Sequence, residues 1–159
     1  MQITRTTDYG IRVLTHLARL PAGTRLTAAE LAAASHAPES LVAKLLQRLV
    51  AARLAASRRG FDGGFALARA PREVTVLDIV TALEGPLRLN VCVDPGSACE
   101  DGPTCAARGV WTRAQAALSA ALSGTTLEEL AAPAALTAGW PADRAAYGLR
   151  DNVLTGRTP

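Results

Sequence analysis

Hydrophobic residues recur at three- and four-residue intervals near the start of the chain, with polar residues between them. In residues 6–20, TTDYGIRVLTHLARL, the positions Ile11, Leu14 and Leu17 fall on one side of a helix. Pro21 follows directly and cannot continue a helix. The pattern predicts a first helix that ends before this proline.

Two further helix starts follow within a short distance. Thr27 and Glu30 have the spacing of a capping box, which predicts a short helix from Thr27 to about Ala34. Pro38 suits the first turn of a third helix across residues 38–54. Two helices joined by so short a turn predict a helix-turn-helix.

The predicted third helix has two contrasting faces. Its apolar stripe, which must pack on the first two helices, consists of Leu41, Val42, Leu45, Leu46 and Leu49. The opposite face carries Ser40, Lys44, Gln47 and Arg48. Cations and an amide in this arrangement are suited to read base edges and bind phosphates in a major groove, whereas the simpler interpretation is a plain polar exterior.

A hairpin is predicted after the third helix. Strand candidates at 54–57 and 65–68 flank a turn segment that contains Arg58, Arg59 and Gly60. A hairpin at this place would be a wing, and arginines at its tip can enter a narrow minor groove. The glycines alone could indicate a phosphate loop, but no Gly-Lys-Ser/Thr follows them.

The second half of the chain begins with a helix in TVLDIVTALEG, residues 75–85, followed by a loop to about residue 105. A long helix is predicted next, with an apolar stripe of Val110, Trp111, Ala114, Leu118, Ala121 and Leu122. A last short helix begins at the capping-box pair Thr126 and Glu129.

These elements predict a mostly α-helical fold with a small β-hairpin wing, that is, a winged helix-turn-helix plus a long dimerisation helix. The predicted divisions are a DNA-binding domain over 1–84, a cysteine loop over 85–105, the dimerisation helix and short C-terminal helix over 106–132, and a flexible tail over 133–159.

Charge is distributed unevenly. The chain of 159 residues has a net charge of +3, but residues 1–73 carry +6 and the remainder −3. A basic N-terminal half suits a polyanion such as DNA, although ordinary solvated charge is the alternative. The sequence has no secretory signal, no apolar run of membrane length and no catalytic motif, so we expect a cytoplasmic protein that is not an enzyme and has no membrane partner.

All three cysteines of the chain lie in CVDPGSACEDGPTC, residues 92–105. An odd number of thiols in a cytosolic protein favours metal binding or redox chemistry over structural disulfides. Soft sulfur ligands select iron–sulfur clusters, zinc or copper(I), and the close pairs typical of structural zinc sites are absent here. The spacing favours an iron–sulfur cluster, with a fourth coordination position left for another ligand.

The stretch MQITRTTDYGIRVLTHLA, the helix-turn-helix, the wing and the three-cysteine loop before a long helix together resemble the Rrf2 family of bacterial transcriptional regulators. The resemblance covers about residues 1–131. It implies a homodimer that reads an inverted-repeat operator in double-stranded DNA, with DNA affinity controlled by a [2Fe-2S] or [4Fe-4S] cluster. It also implies that Cys92, Cys99 and Cys105 are the cluster ligands.

Two kinds of member of this family differ in their fourth ligand, and this chain departs from one pattern and matches the other. IscR-like members have a histidine three residues after the third cysteine, where this chain has Arg108. NsrR-like members use an acid in the first helix of the other subunit, and Asp8 matches that position. Asp8 of the partner subunit is therefore the candidate, and a surface acid near a helix N-terminus is the alternative. Six residues separate the first two cysteines, against five in these relatives, which leaves open the cluster type and the cue among redox state, nitric oxide and iron.

Two other functions fit the same residues. The cysteines could form a cluster-free thiol redox switch on the DNA-binding module, or the protein could be an iron–sulfur carrier, which would not need a wing. His16 and His36 are expected to be packing or surface residues.

Overall fold

The computed structural model describes residues 4–60, 62–94, 96, 99 and 104–133. The elements run, in chain order, α1 (Arg5–Ala18), α2 (Ala28–Ser35), α3 (Glu39–Ala51), β1 (Ala55–Arg58), β2 (Gly64–Leu67), α4 (Val76–Glu84), α5 (Ala106–Ser123) and α6 (Leu127–Ala131). This architecture confirms the predicted fold class, a mostly helical chain with a two-stranded wing.

The helix-turn-helix consists of α2 and α3. The capping box is present, with the Thr27 backbone N–H donating to Glu30 at 2.7 Å and the Glu30 N–H donating back to the threonine hydroxyl at 3.2 Å. The first of these helices ends at His36, which adopts the left-handed conformation with φ of 52°. Pro38 is the N-cap of α3, one residue before the first turn in which we expected it.

The core lies between α1, the helix-turn-helix and α4. The predicted stripe of α3 is buried against α1, with Val42, Leu45, Leu46 and Leu49 at 0 % exposure and Leu41 partly buried. Closest packing occurs where α1 crosses α4: a methyl group added at Gly10 would lie 2.2 Å from Leu83 Cδ1. A side chain at that position of α1 would force the two helices apart.

The wing is a two-stranded antiparallel hairpin in which Ala55 pairs with Leu67 and Arg58 with Gly64. Both strands are displaced by one residue from their predicted positions. A short segment before α2 adds to the hairpin, because Leu26 exchanges both backbone hydrogen bonds with Phe65, at 2.8 and 3.0 Å. The connection ties β2, near the tip of the wing, to the loop between α1 and α2.

The short helix α6 is attached to the core. The Leu127 N–H donates to the Val74 carbonyl at 2.8 Å, the Val76 N–H donates to Thr125 at 2.9 Å, and the Leu127 side chain is fully buried. The predicted capping box of Thr126 and Glu129 is present. Of the predicted flexible tail over 133–159, residues 134–159 lie outside the described residues.

Helix α5 differs from the others because none of its residues is buried. Val110 is 52 % exposed and Trp111 39 % exposed. Within the described part of the chain, no helix has the length and apolar character needed to cross a membrane.

Candidate DNA-binding face and cysteine loop

The outward face of α3 carries the side chains predicted to contact DNA. Ser40, Lys44, Gln47 and Arg48 are all exposed. The helix can present them because its opposite face is buried in the core, which fixes its rotation about its own axis. The result is an exposed polar surface of about two helical turns.

The wing tip carries the second predicted group. Arg58, Arg59 and Gly60 are exposed. Gly60 adopts φ of +108°, a conformation that favours glycine, and its carbonyl accepts a 2.9 Å hydrogen bond from the Gly63 N–H. A methyl group at Gly63 would lie 2.6 Å from the Arg58 carbonyl, so the tight turn that projects the arginines requires glycine.

Arg25 is a basic residue of this surface that the sequence pattern did not reveal. The pairing of Leu26 with Phe65 places it beside the wing, where its guanidinium donates to the Gly64 carbonyl at 3.4 Å. It lines a polar cleft with Arg58 and the acids Glu30 and Asp62. A pairing across 39 residues leaves no periodic signal, so the sequence could have shown only an isolated arginine.

The three cysteines are free thiols with different surroundings. Cys92 lies in a short 3₁₀ turn, Val91–Val93, and is half-buried. Cys105 is also half-buried and occupies the N-cap position of α5, whereas Cys99 is exposed. Among the described residues, no three cysteine, histidine or acidic side chains come together as a metal-binding group. The donor chemistry fits an iron–sulfur cluster, because thiols are its usual ligands, but the single chain does not bring the thiols together.

Gln115 of α5 anchors the start of the cysteine loop. Its amide nitrogen donates to the Leu87 carbonyl at 2.8 Å, and its amide oxygen accepts the Leu89 N–H at 2.9 Å. Farther along, Arg88 forms an ion pair with Asp94. These contacts hold the loop between the end of α4 and the middle of α5, on the approach to Cys92.

Asp8, the candidate fourth ligand, lies on the first turn of α1. Its carboxylate is 52 % exposed and pairs with Arg12 at 2.8 Å. Arg108, at the place of the histidine of IscR-like members, lies on α5. The carboxylate is thus accessible from outside the chain, as a ligand to a cluster held by another subunit would have to be.

Glu84, the last residue of α4, connects the cysteine loop to α1. The hydroxyls of Thr4 and Thr7 both donate to its Oε1 at 2.5 Å. These two hydrogen bonds, with a smaller attraction from Arg48 of α3, lower the pKa of Glu84 below its ordinary value of 4.5. The sequence did not predict these hydrogen bonds, because the two threonines are 77 and 80 positions away from Glu84.

A helix-turn-helix with an exposed polar face on its second helix, followed directly by a hairpin with arginines at its tip, defines a winged helix-turn-helix protein of the DNA-binding class. The chain belongs to the Rrf2 family. The family model, described as iron-dependent transcriptional regulator, matches residues 3–133. The predicted family resemblance is therefore confirmed.

Named relatives agree with this assignment. The chain is 32 % identical over 131 residues to an HTH-type transcriptional regulator of Mycobacterium tuberculosis, covering 82 % of this chain and 81 % of that one. It is 31 % identical over 131 residues to CymR of Bacillus subtilis, covering 82 % and 90 % of the two chains. Because the relatives are named as transcriptional regulators, the predicted class of protein is confirmed, and no enzyme function is indicated.

Solved structures of the family match the fold. The structure of B. subtilis CymR, described as the global cysteine regulator, superposes with a TM-score of 0.69 at 30 % identity and covers 82 % of this chain and 96 % of that one. IscR of T. potens superposes with a TM-score of 0.68 at 24 % identity, covering 92 % and 96 %, which concerns the fold alone.

Proposed function

We propose that the protein is a dimeric transcriptional regulator whose affinity for an inverted-repeat operator is controlled by an iron–sulfur cluster on Cys92, Cys99 and Cys105. The observation that carries the proposal is the set of three free thiols in one short segment, which follows a stretch that Gln115 holds at Leu87 and Leu89. The description of the matching family as iron-dependent supports it.

DNA recognition is assigned to α3 and the wing. The exposed face of α3 enters the major groove, where Lys44 and Gln47 contact base edges. Arg59, at the wing tip, contacts phosphates or the adjacent minor groove. Arg25, held beside the wing, adds a further cation to this surface.

Dimerisation is assigned to α5. The stripe defined by Val110, Trp111, Ala114, Leu118, Ala121 and Leu122 has no buried member in the single chain. Half-exposed Val110 and Trp111 on a helix of 18 residues favour burial against a second copy. Two α5 helices crossing in this way would give the two α3 helices the twofold symmetry that an inverted repeat requires.

The cluster would be held by the three thiolates, with Asp8 of the partner subunit as the fourth ligand. When bound, it supplies an iron centre that changes with redox state, nitric oxide or iron supply. Glu84 is suited to transmit such a change, because it lies at the start of the cysteine loop and binds Thr4 and Thr7 of the adjoining α1 segment.

A second candidate function is a cluster-free thiol switch. It is favoured by the absence of a metal-binding group among the described residues and by the likeness to CymR, of which an oxidised form from Staphylococcus aureus has been solved. That structure superposes with a TM-score of 0.65 at 27 % identity. Oxidation of two cysteines would then take the place of cluster loss as the regulatory change.

Iron and acid-labile sulfide, measured per chain on protein isolated without oxygen, test the proposal. We expect both in near-equal amounts, and the stoichiometry separates two-iron from four-iron clusters. Cys92→Ser should abolish both, whereas the wild-type iron content should persist in a His16→Gln control. Absence of iron and sulfide from reconstituted wild-type protein would overturn the cluster and favour the thiol switch.

A further inference from the structure

A hollow of about 310 Å³ beside the helix-turn-helix is lined by residues other than those assigned above to DNA and cluster binding. It is formed by one side of α1, the end of α2 and Leu130 of α6. Both histidines of the chain, His16 and His36, line it. Its volume is at the lower end of the range typical of small-ligand sites.

Basic side chains dominate the lining. Arg12 and Arg19 accompany the two histidines, and none of the described residues that line the hollow is acidic. Asp8 offsets the charge of Arg12. The guanidinium of Arg19 donates to two neutral groups, the backbone carbonyls of Leu130 and Ala131 at 3.3 Å, and these hydrogen bonds do not cancel its charge.

Thr15 adds a polar group to the lining. Its residue is 8 % exposed and lines the hollow, yet its hydroxyl, which is itself buried, has no hydrogen-bond partner among the described residues. A buried hydroxyl without a partner is unfavourable. Threonine in a helix populates two χ1 rotamers, so rotation can turn the hydroxyl toward an acceptor in the hollow or toward a backbone carbonyl of α1.

We propose that this hollow binds a small organic anion, a carboxylate with a short apolar chain. The carboxylate would lie between Arg19 and the two histidines, and its apolar part would contact Ile11, Ala34 and Leu130. These apolar side chains favour an organic acid over an inorganic oxyanion. Sulfate or phosphate would place charged oxygens against the apolar side chains, where the oxygens would lose water without gaining hydrogen bonds.

The position of His36 gives the site a connection to DNA binding. His36 ends α2 and starts the turn that leads into α3. An occupant held by His36 and by Arg19 would join α1 to this turn and restrict the orientation of α3. That consequence rests on the proposed function, whereas the existence of the anion site does not.

The two imidazoles are the only histidine reporters in the sequence, which makes proton NMR a direct test. Sodium butyrate replaces sodium chloride at constant ionic strength, and the ring-proton shifts of His16 and His36 are followed. We expect both resonances to move along one saturable curve. Sodium sulfate should move them much less, and n-butylammonium chloride should not move them.

His36→Gly tests the location without disturbing the fold, because φ of 52° suits glycine. With His16 as the remaining reporter, we expect butyrate to bind about tenfold more weakly, as for the loss of one charge-assisted hydrogen bond. Arg53→Gly is the matched control, since Arg53 has a similar φ of 57° but lies outside the hollow. Butyrate affinity in this control should equal that of the wild type.

Three results would overturn the proposal: shifts that rise linearly without saturation, equal responses to sulfate and butyrate, or unchanged affinity in His36→Gly. The titration uses no DNA, so its outcome is separate from that of the proposed function. A chain that fails to distinguish operator from random DNA but binds butyrate saturably would refute the regulator while supporting the anion site.

Discussion

Single residues set the contact between α1 and α4. Gly10 of α1 lies against Leu83 of α4. The next residue of α4, Glu84, accepts hydrogen bonds from Thr4 and Thr7. One contact requires the absence of a side chain, and the other requires a carboxylate. Both contacts lie next to the start of the cysteine loop, at the crossing through which we propose that a change in the loop reaches the DNA-binding core.

Gly10→Ala should destabilise the protein by about 1–3 kcal/mol, because the added methyl would overlap Leu83 Cδ1 in a filled core. Urea denaturation measures the loss. Gly109→Ala is the matched control, a helical glycine whose nearest neighbour for an added methyl is Arg113 Nη1 at 3.7 Å. That change should stabilise α5 by roughly 1 kcal/mol at most. Equal effects of the two substitutions would contradict the close approach of α1 and α4.

Glu84 should make stability depend on pH. The hydroxyls of Thr4 and Thr7 lower the pKa of Glu84 in the folded chain. The ionised carboxylate therefore adds to the free energy of unfolding above the ordinary pKa of 4.5, and this stabilisation is lost as the pH falls below that value. The Tm of wild type should therefore exceed that of Glu84→Gln at pH 7, and the difference should shrink toward pH 3.5. Glu73→Gln, at an exposed position, should show little such change. A difference between wild type and Glu84→Gln that stays constant with pH would refute the role of the hydrogen bonds.

At the scale of elements, we propose that the helix-turn-helix and the wing contribute differently to DNA binding. The buried stripe of α3 fixes which side chains point outward, and the glycine turn at Gly60 and Gly63 fixes where the arginines of the wing lie. One element is suited to read bases and the other to contact the backbone. The two therefore should respond differently to mutation.

Arg59→Ala should weaken binding to all DNA sequences and lower the salt slope by about one, as for the loss of one phosphate contact. Gln47→Ala should change the preference among operator sequences and leave the salt slope nearly unchanged. Fluorescence anisotropy over a range of salt concentrations measures both. Arg113→Ala, on α5, serves as the control for general loss of charge. The same uniform loss for Arg59→Ala and Gln47→Ala would contradict the division of roles.

Local patterns in the sequence predicted most elements and few of the contacts between them. The capping boxes at Thr27 and Thr126 formed as their spacing indicated, but the one between Thr75 and Asp78 was missed because aspartate replaces the usual glutamate. The addition of Leu26 to the wing could not be predicted, since period and propensity report only on near neighbours.

At the candidate site, too, the sequence predicted local features and did not predict contacts between distant residues. Spacing predicted three thiols as a set of ligands, yet their convergence depends on the loop conformation, which the spacing does not determine. Helical periodicity placed Lys44 and Gln47 outward, and the structure agrees on their exposure. Their contacts with DNA stay a prediction.

At the scale of the whole molecule, α5 is the helix in which the single chain buries no residue. Val110→Lys should convert the proposed dimer into a monomer, because a charge would replace an exposed apolar side chain of the proposed contact stripe. Light scattering after size exclusion measures the mass. Since Val110 is 52 % exposed, the substitution should leave the stability of the monomer unchanged.

Ala116→Lys is the matched control for this prediction, an exposed position on the opposite side of α5. It should leave the mass at that of wild type. A dimer that persists in Val110→Lys, or that is lost equally in Ala116→Lys, would rule out the apolar stripe of α5 as the contact.

The attachments of α5 have a consequence for the DNA that such a dimer can use. Gln115 fixes the middle of the helix to the loop after α4, and the pairing of Thr75 with Thr126 fixes its far end to the core. These attachments would fix the distance between the α3 helices of the two subunits, and this distance would set the spacing of the half-sites that the dimer can bind. Two base pairs inserted at the operator centre turn one half-site by roughly 70° around the duplex, out of reach of its subunit. The length of the spacer between half-sites would then contribute to operator recognition together with the base sequence of the half-sites.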